Sequence, residues 1–311
     1  MLFSHSSPSI NLCKPMESNV LTAVFLPLAL AFIMMGMGLS LRPDDFRRIA
    51  LAPKAAIIGL AAQLVLLPVV GFLLVKLFGL TGALAVGLMI IAACPGGPTS
   101  NLVSHLARGD LALSISLTAV SSVITIVTIP LIVNLSIGWF GEEGSVTLPV
   151  LRTIIQIMGV TLIPVAIGMF IRHRNPVFSK KSERPVKIIS AVFFTLIVIA
   201  ALLKEREQLP TFFMLTGPAV LTLNAVTMSA GFALALAFGL SARQRLTVAI
   251  ESGIQNGTMG IMIAATLLQN SVMVIPVAMY GILMYGSAVL VIFLGNKYIR
   301  PEKTKPELEI S

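Results

Sequence analysis

Apolar runs of membrane-spanning length recur nine times along the chain, over 19–40, 55–78, 83–106, 111–137, 152–171, 187–203, 212–238, 246–268 and 272–295. A helix needs about 20 apolar residues to cross a hydrocarbon core about 30 Å thick, so each run predicts one transmembrane helix. The runs lack period-2 alternation, and in lipid only helices and closed barrels satisfy their own backbone. The pattern predicts an all-α polytopic membrane protein. Its connections are too short for a soluble domain. The longest, around 172–187, reads as a basic linker dividing spans 1–4 from spans 5–9.

Composition narrows the class. Of 311 residues, 56% are hydrophobic and 11% charged, against about 25% charged in soluble domains. With a mean hydropathy of +0.96, such a chain cannot cover a water-facing exterior. The net charge of +9 reports orientation rather than a nucleic-acid partner, because the basic residues are spread over one set of loops. Seventeen of the 22 Lys and Arg lie after spans 1, 3, 5 and 7 or in the C-terminal tail, from Arg42, Arg47 and Arg48 to Lys303 and Lys305. The other side has Lys14, Lys204 and Arg206, with Lys76 and Arg152 near helix ends, and the loop after span 4 holds Glu142 and Glu143 without a base. The N-terminus is expected outside and the C-terminus in the cytoplasm of a cell-membrane protein. Residues 1–18 are Ser-rich, lack a basic leader pattern and read as an extracytoplasmic tail; 296–311 read as a cytoplasmic tail. Cys13 and Cys94 sit in different settings and support no disulfide framework or metal motif.

Two spans are interrupted. Span 3 contains Cys94-Pro95-Gly96-Gly97-Pro98 followed by Thr99-Ser100-Asn101, and span 8 contains Glu251-Ser252-Gly253-Ile254-Gln255-Asn256-Gly257. Gly and Pro are tolerated as simple kinks in membrane helices. Here both breaks carry amide and carboxylate groups, each lies in the second-to-last span of its half, and charge alternation gives the two spans opposite orientations. That is the pattern of an inverted-repeat secondary transporter with a site at the midplane.

Glu251 is the sharpest residue. Twelve of the 13 acidic residues fall in loops or tails, and no Lys, Arg or His lies at comparable depth. A carboxylate inside the membrane is a functional candidate by default, and its partner is a bound cation or a proton. Oxygen groups for a hard cation are at hand. Ser114, Thr118, Ser121 and Thr125 share one face of span 4, as ligands or as small packing residues. Gln63 is a lone amide in span 2, and the break frees carbonyls at Ser252 and Ile254. An enzyme would need an acid–base pair or converging metal ligands, and one carboxylate does not supply them.

Several stretches resemble the bile acid:sodium symporter family: Gly36-Met37-Gly38-Leu39 with Arg42-Pro43-Asp44-Asp45-Phe46, Pro95-Gly96-Gly97 with Ser100-Asn101, Ala107-Arg108-Gly109-Asp110-Leu111-Ala112-Leu113-Ser114, and Glu251-x-Gly253-x-Gln255-Asn256. The resemblance covers about 30–290, in a nine-helix form whose first apolar span matches the family's second helix. It implies two crossed discontinuous helices, a panel (19–40, 152–203) and a core (55–137, 212–295) within a transporter domain of 19–295. It also implies two Na⁺ sites. One would use Ser100, Asn101, Ser114, Thr118 and Glu251; the other Gln63, Glu251, Gln255 and the carbonyls of Ser252 and Ile254. Pro98 stands where bacterial members commonly have threonine, and Leu283-Met284-Tyr285 where they have Trp-His-Asn, so the solute-facing groups depart while the cation positions match.

The expectation is a sodium-coupled symporter of an organic anion, bile-acid-like or a smaller carboxylate, working by alternating access. One carboxylate with two Na⁺ carries one positive charge, which a monovalent anion neutralises. Half-helix N-termini near Thr99 and Gly257 direct N–H groups to an anion, Asn256 adds a donor, and Pro98, Met284 and Tyr285 shape the apolar part. A proton-coupled carrier would use Glu251 alone. Metalloid exporters of the same fold carry a cysteine near the break, which keeps Cys94 in view.

Overall fold

The computed structural model describes residues 24, 26–45, 53–141, 147–204, 206–207 and 209–299. The N-terminal tail, the start of span 1, Glu142, Glu143 and residues 300–311 lie outside the described residues. Among the described residues the chain is helical, in eleven segments: α1 Leu26–Gly38, α2 Pro53–Leu77, α3 Gly82–Ala93, α4 Pro98–Leu106, α5 Leu111–Phe140, α6 Val150–Arg174, α7 Pro176–Lys204, α8 Leu209–Ala237, α9 Ala242–Gly253, α10 Gly257–Leu267 and α11 Ser271–Tyr298. Two pairs, α3/α4 and α9/α10, are the halves of interrupted helices, which makes nine passages at the places the hydropathy pattern predicts.

Local chemistry explains most boundaries. Asp110 Oδ1 accepts from Leu113 N to start α5, and Asn270 Oδ1 accepts from Val272 N and Met273 N to start α11. Ser241 and Gln244 form a reciprocal capping box at α9. Gly79 and Gly239 adopt φ of +62° and +69° after α2 and α8, and in each case the following leucine N–H bonds back to the carbonyl five residues earlier. These features form an internal repeat. Gly79 and Gly239 are separated by the same number of positions as Asp110 and Asn270, so α2 to α5 and α8 to α11 are two copies of one helical plan.

One expectation needs correction. Residues 172–187 are not a linker: α6 runs to Arg174, only Asn175 intervenes, and α7 starts at Pro176. Arg172, His173 and Arg174 occupy the last turn of α6, where cations favour the helix dipole. Asn175 Oδ1 then accepts from Phe178 N to start the next helix, with Pro176 at its first position. Charge interrupts the hydropathy over this whole stretch, whereas Asn175 alone interrupts the helix.

Packing brings α1 against α6 and α7, and gathers α3 with α5 and α11, and α8 with α9 and α11. Small residues allow close approach. A Cβ on Gly38 would lie 2.2 Å from the Val165 carbonyl oxygen, and one on Gly168 2.3 Å from that of Met35, so α1 and α6 touch backbone to backbone. Helix α3 is buried along its length, from Leu84 to Ala93, and holds the first break inside the protein.

Candidate functional site

Helix α3 ends as Cys94 turns extended, with φ −70° and ψ 148°, and α4 restarts after Gly97 with Pro98 in its first turn. Helix α9 ends as Ile254 turns extended, with φ −106° and ψ 99°, and α10 restarts after Asn256. The two breaks meet. Gly96 and Gln255 form an antiparallel bridge, and Asn256 N donates to the Pro95 carbonyl at 2.9 Å. Each break thereby satisfies backbone groups that the other has freed.

Glu251 sits beside this crossing with no exposed surface. Its Oε1 accepts from Ser114 Oγ at 2.5 Å; its Oε2 accepts from Gln63 Nε2 at 2.8 Å and from Thr118 Oγ1 at 3.0 Å. No Lys, Arg or His is among the buried residues described. Asn101 Oδ1 lies 2.8 Å from Ser114 Oγ and 3.3 Å from Thr118 Oγ1, and Ser100 Oγ, which donates to the Gly97 carbonyl at 2.7 Å, is 3.4 Å from Thr118 Oγ1. Gln63 lies in a π-helical turn of α2, Ala62–Leu66, an irregularity common at functional sites. Its Nε2 also donates to the Glu251 carbonyl at 3.0 Å. Gln255 Nε2 donates to the carbonyls of Glu251 and Ser252 at 3.2 and 3.0 Å.

Acceptors outnumber donors in this cluster. Each hydroxyl has one hydrogen, yet Ser114 and Thr118 both face a carboxylate oxygen and the Asn101 oxygen. Two further acceptors, Gln63 Oε1 and Gln255 Oε1, are buried without any hydrogen-bond partner among the described residues. A buried acceptor left unpaired is costly, and a surplus of oxygens around one carboxylate is chemistry suited to a cation.

The serine and threonine stripe on α5 divides. Ser114 and Thr118 face Glu251, whereas Ser121 Oγ and Thr125 Oγ1 bond their own helix at Thr118 O and Ser122 O. Among the other predicted residues, Ile254 is buried and its N–H continues the α9 ladder to Ile250 O. Asn256 Oδ1 caps α10 by accepting from Met259 N, and no hydrogen bond from its Nδ2 occurs among the described residues. Its side chain lies against Gly97, so Pro98, Thr99, Asn256 and Gly257 gather around the starts of the two second half-helices. Tyr285 is 43% exposed, with its hydroxyl near the Thr99 side chain. Met284, 2% exposed, packs in the hydrophobic core on the inward face of α11 with Tyr280, Gly281 and Ala288. Cys94 is buried in the same core, its Sγ 3.5 Å from the position a Gly260 Cβ would take.

Two features escaped the sequence. Gly96 is part of the cluster, since a Cβ there would lie 2.5 Å from Glu251 Oε2, 3.1 Å from Gln63 Nε2 and 3.2 Å from Ser100 Oγ. Asn224, in α8, donates to the Gly253 carbonyl. A lone amide in an apolar run was its signal, the same that marked Gln63.

Comparison with known proteins places the chain in a family. The sodium bile acid symporter family matches residues 27–212. The chain is 30% identical over 240 residues to the uncharacterized sodium-dependent transporter YocS of Bacillus subtilis (strain 168), covering 77% of this chain and 73% of that one. It is 28% identical over 295 residues to the probable chloroplastic sodium/metabolite cotransporter BASS2 of Oryza sativa subsp. japonica, covering 93% and 68%. It is 32% identical over 240 residues to sodium/bile acid cotransporter 4 of Homo sapiens, covering 75% and 54%. The crossed breaks, the buried carboxylate cluster and a family match over more than half its length together identify the chain as a member of the sodium bile acid symporter family, a family of membrane transporters and not of enzymes.

Proposed function

We propose that this protein is a sodium-coupled symporter of a small organic anion. The observation that carries the proposal is the surplus of buried oxygens around Glu251, with Gln63 Oε1 and Gln255 Oε1 unpaired. Two Na⁺ ions fit the donor set. One is held by Glu251 with Ser100, Asn101, Ser114 and Thr118, the other by Glu251 with Gln63, Gln255 and the carbonyls of Ser252 and Ile254. Sodium names in the relatives support the same ion. A proton on Glu251 satisfies one oxygen and leaves both amide oxygens unpaired, so the donor set favours sodium over proton coupling. Cys94, enclosed by apolar neighbours, gives no support to metalloid export.

Bound sodium fixes the crossing and leaves net positive charge beside the starts of α4 and α10. An anion then docks there, with Asn256 Nδ2 and the Thr99 N–H and hydroxyl as donors, and Pro98, Gly257 and Tyr285 as its surroundings. Helices α1, α6 and α7 act as the panel against which α2–α5 and α8–α11 rock to alternate access. The N-terminus faces outward and the C-terminus the cytoplasm of the cell membrane, so green fluorescent protein fused at the C-terminus fluoresces. Proteoliposomes given a mixture of organic anions accumulate at least one of them, detected by mass spectrometry, under an inward Na⁺ gradient and not under a K⁺ or proton gradient. Accumulation driven by protons alone refutes sodium coupling.

A further inference from the structure

Gly253 closes α9, and the break frees its carbonyl from helical bonding. That oxygen accepts two hydrogen bonds, from Asn224 Nδ2 on α8 at 2.7 Å and from the Tyr280 hydroxyl on α11 at 2.9 Å. Asn224 is itself held: Ser287 Oγ on α11 donates to its Oδ1, and its Nδ2 lies 3.3 Å from the Tyr280 oxygen. Asn224 and Tyr280 are buried. Among the described residues, none of the three hydrogen-bonds to the Glu251 carboxylate or to the side chains that grip it.

The internal repeat gives this arrangement a meaning. Counted back from the left-handed glycines Gly79 and Gly239, Gln63 and Asn224 fall one position out of register. The π turn at Ala62–Leu66 holds one residue more than an α turn and accounts for that position. The two amides are therefore counterparts in the two copies, and both reach the end of the same half-helix: Gln63 donates to the Glu251 carbonyl, Asn224 to that of Gly253. In the α2 copy the amide oxygen is unpaired. In the α8 copy both ends of the amide are used, so it offers no ligand and instead holds backbone.

Ile254 is extended, and carbonyls on either side of an extended residue point in opposite directions. Holding the Gly253 carbonyl toward α8 and α11 therefore aims the Ile254 carbonyl the other way, and anchors the turn carrying Glu251 two residues before. We propose that Asn224, Tyr280 and Ser287 are positioning residues, a hydrogen-bonded clamp that sets the Glu251–Gln255 segment for cation binding. This rests on the sodium reading above.

The test is a sodium titration of the purified full-length protein at constant ionic strength in K⁺, read both as thermal stabilisation and as anion uptake. Tyr280→Phe removes one O–H and keeps the ring, Ser287→Ala releases Asn224, and Asn224→Asp turns the donor into an acceptor. Losing one such hydrogen bond raises the half-saturating sodium concentration about fivefold in Tyr280→Phe, and further in Asn224→Asp, with the maximal uptake rate of Tyr280→Phe unchanged. If Asn224→Asp does not fold, Tyr280→Phe and Ser287→Ala decide. Lower melting temperatures in K⁺ with unchanged sodium half-saturation would reduce the clamp to ordinary packing and overturn the proposal. A wild-type protein without any sodium response overturns the sodium reading, and the clamp with it.

Discussion

Gly96 and Gly97 are neighbours with opposite expectations on substitution to alanine. A Cβ on Gly96 lies 2.5 Å from Glu251 Oε2, whereas one on Gly97 meets nothing nearer than Asn256 Cβ at 3.6 Å, an ordinary contact. Neither glycine has a positive φ, so backbone strain does not enter and the difference is steric. To restore an ordinary 3.4 Å separation, the carboxylate in Gly96→Ala must withdraw by about 0.9 Å, more than the roughly 0.5 Å within which a working site holds its groups. The carboxylate is gripped by Ser114, Thr118 and Gln63, so it cannot retreat without breaking those bonds. Overpacking of this kind costs about 1–3 kcal/mol, and a loss of that size in ion binding is a rise of about fivefold to 150-fold in half-saturating sodium. Gly97→Ala keeps the sodium dependence of the wild type and changes the half-saturating anion concentration, because its methyl group faces Asn256. Sodium-driven uptake into proteoliposomes, titrated separately in sodium and anion, distinguishes the two. Unchanged sodium half-saturation in Gly96→Ala with a shifted one in Gly97→Ala refutes the placement of Gly96 beside the ion-binding carboxylate.

Other outcomes follow from single contacts. Gln63→Leu removes the donor to Glu251 together with the unpaired Oε1, and hydrogen bonds to charged groups are worth about 1.5–3 kcal/mol; half-saturating sodium rises at least about tenfold, and wild-type sodium affinity in this variant contradicts its role. Cys94→Ser places a hydroxyl in apolar surroundings, so melting temperature falls by a few degrees while uptake persists; abolished transport with normal expression points instead to thiol chemistry. Gly38→Ala pushes a methyl group to 2.2 Å from the Val165 carbonyl oxygen, which backbone cannot yield cheaply, and lowers thermal stability by about 1–3 kcal/mol without altering sodium half-saturation; equal stability shows that α1 and α6 are free to part.

The apolar pattern made the helices legible because each membrane passage must bury its own backbone, and boundaries such as Asp110, Ser241 and Asn270 carry their capping chemistry in the residue type. The breaks were legible for the same reason in reverse, since Pro95, Gly96, Gly97 and Pro98 cannot continue a helix. Glu251 stood out because a carboxylate at depth, with no Lys, Arg or His at a comparable level, is costly unless a cation or a proton accompanies it. The helical run through 172–187 was hidden because hydropathy measures partition and not helicity. The bridge between Gly96 and Gln255 joins residues far apart in the chain, and no local spacing reveals it. Met284 and Tyr285 were paired by their place in the family pattern, and one step along a helix turns a side chain from core, as at Met284, to surface, as at Tyr285.

The most direct measurement is the melting temperature of purified wild-type protein and Glu251→Gln, followed through the fluorescence of Trp139, the single tryptophan, as sodium replaces potassium. The variant keeps the size of the side chain and removes its charge. Sodium raises the wild-type melting temperature saturably, potassium does not, and Glu251→Gln stays at its potassium value throughout. Equal, saturable stabilisation of both proteins by sodium would contradict the account.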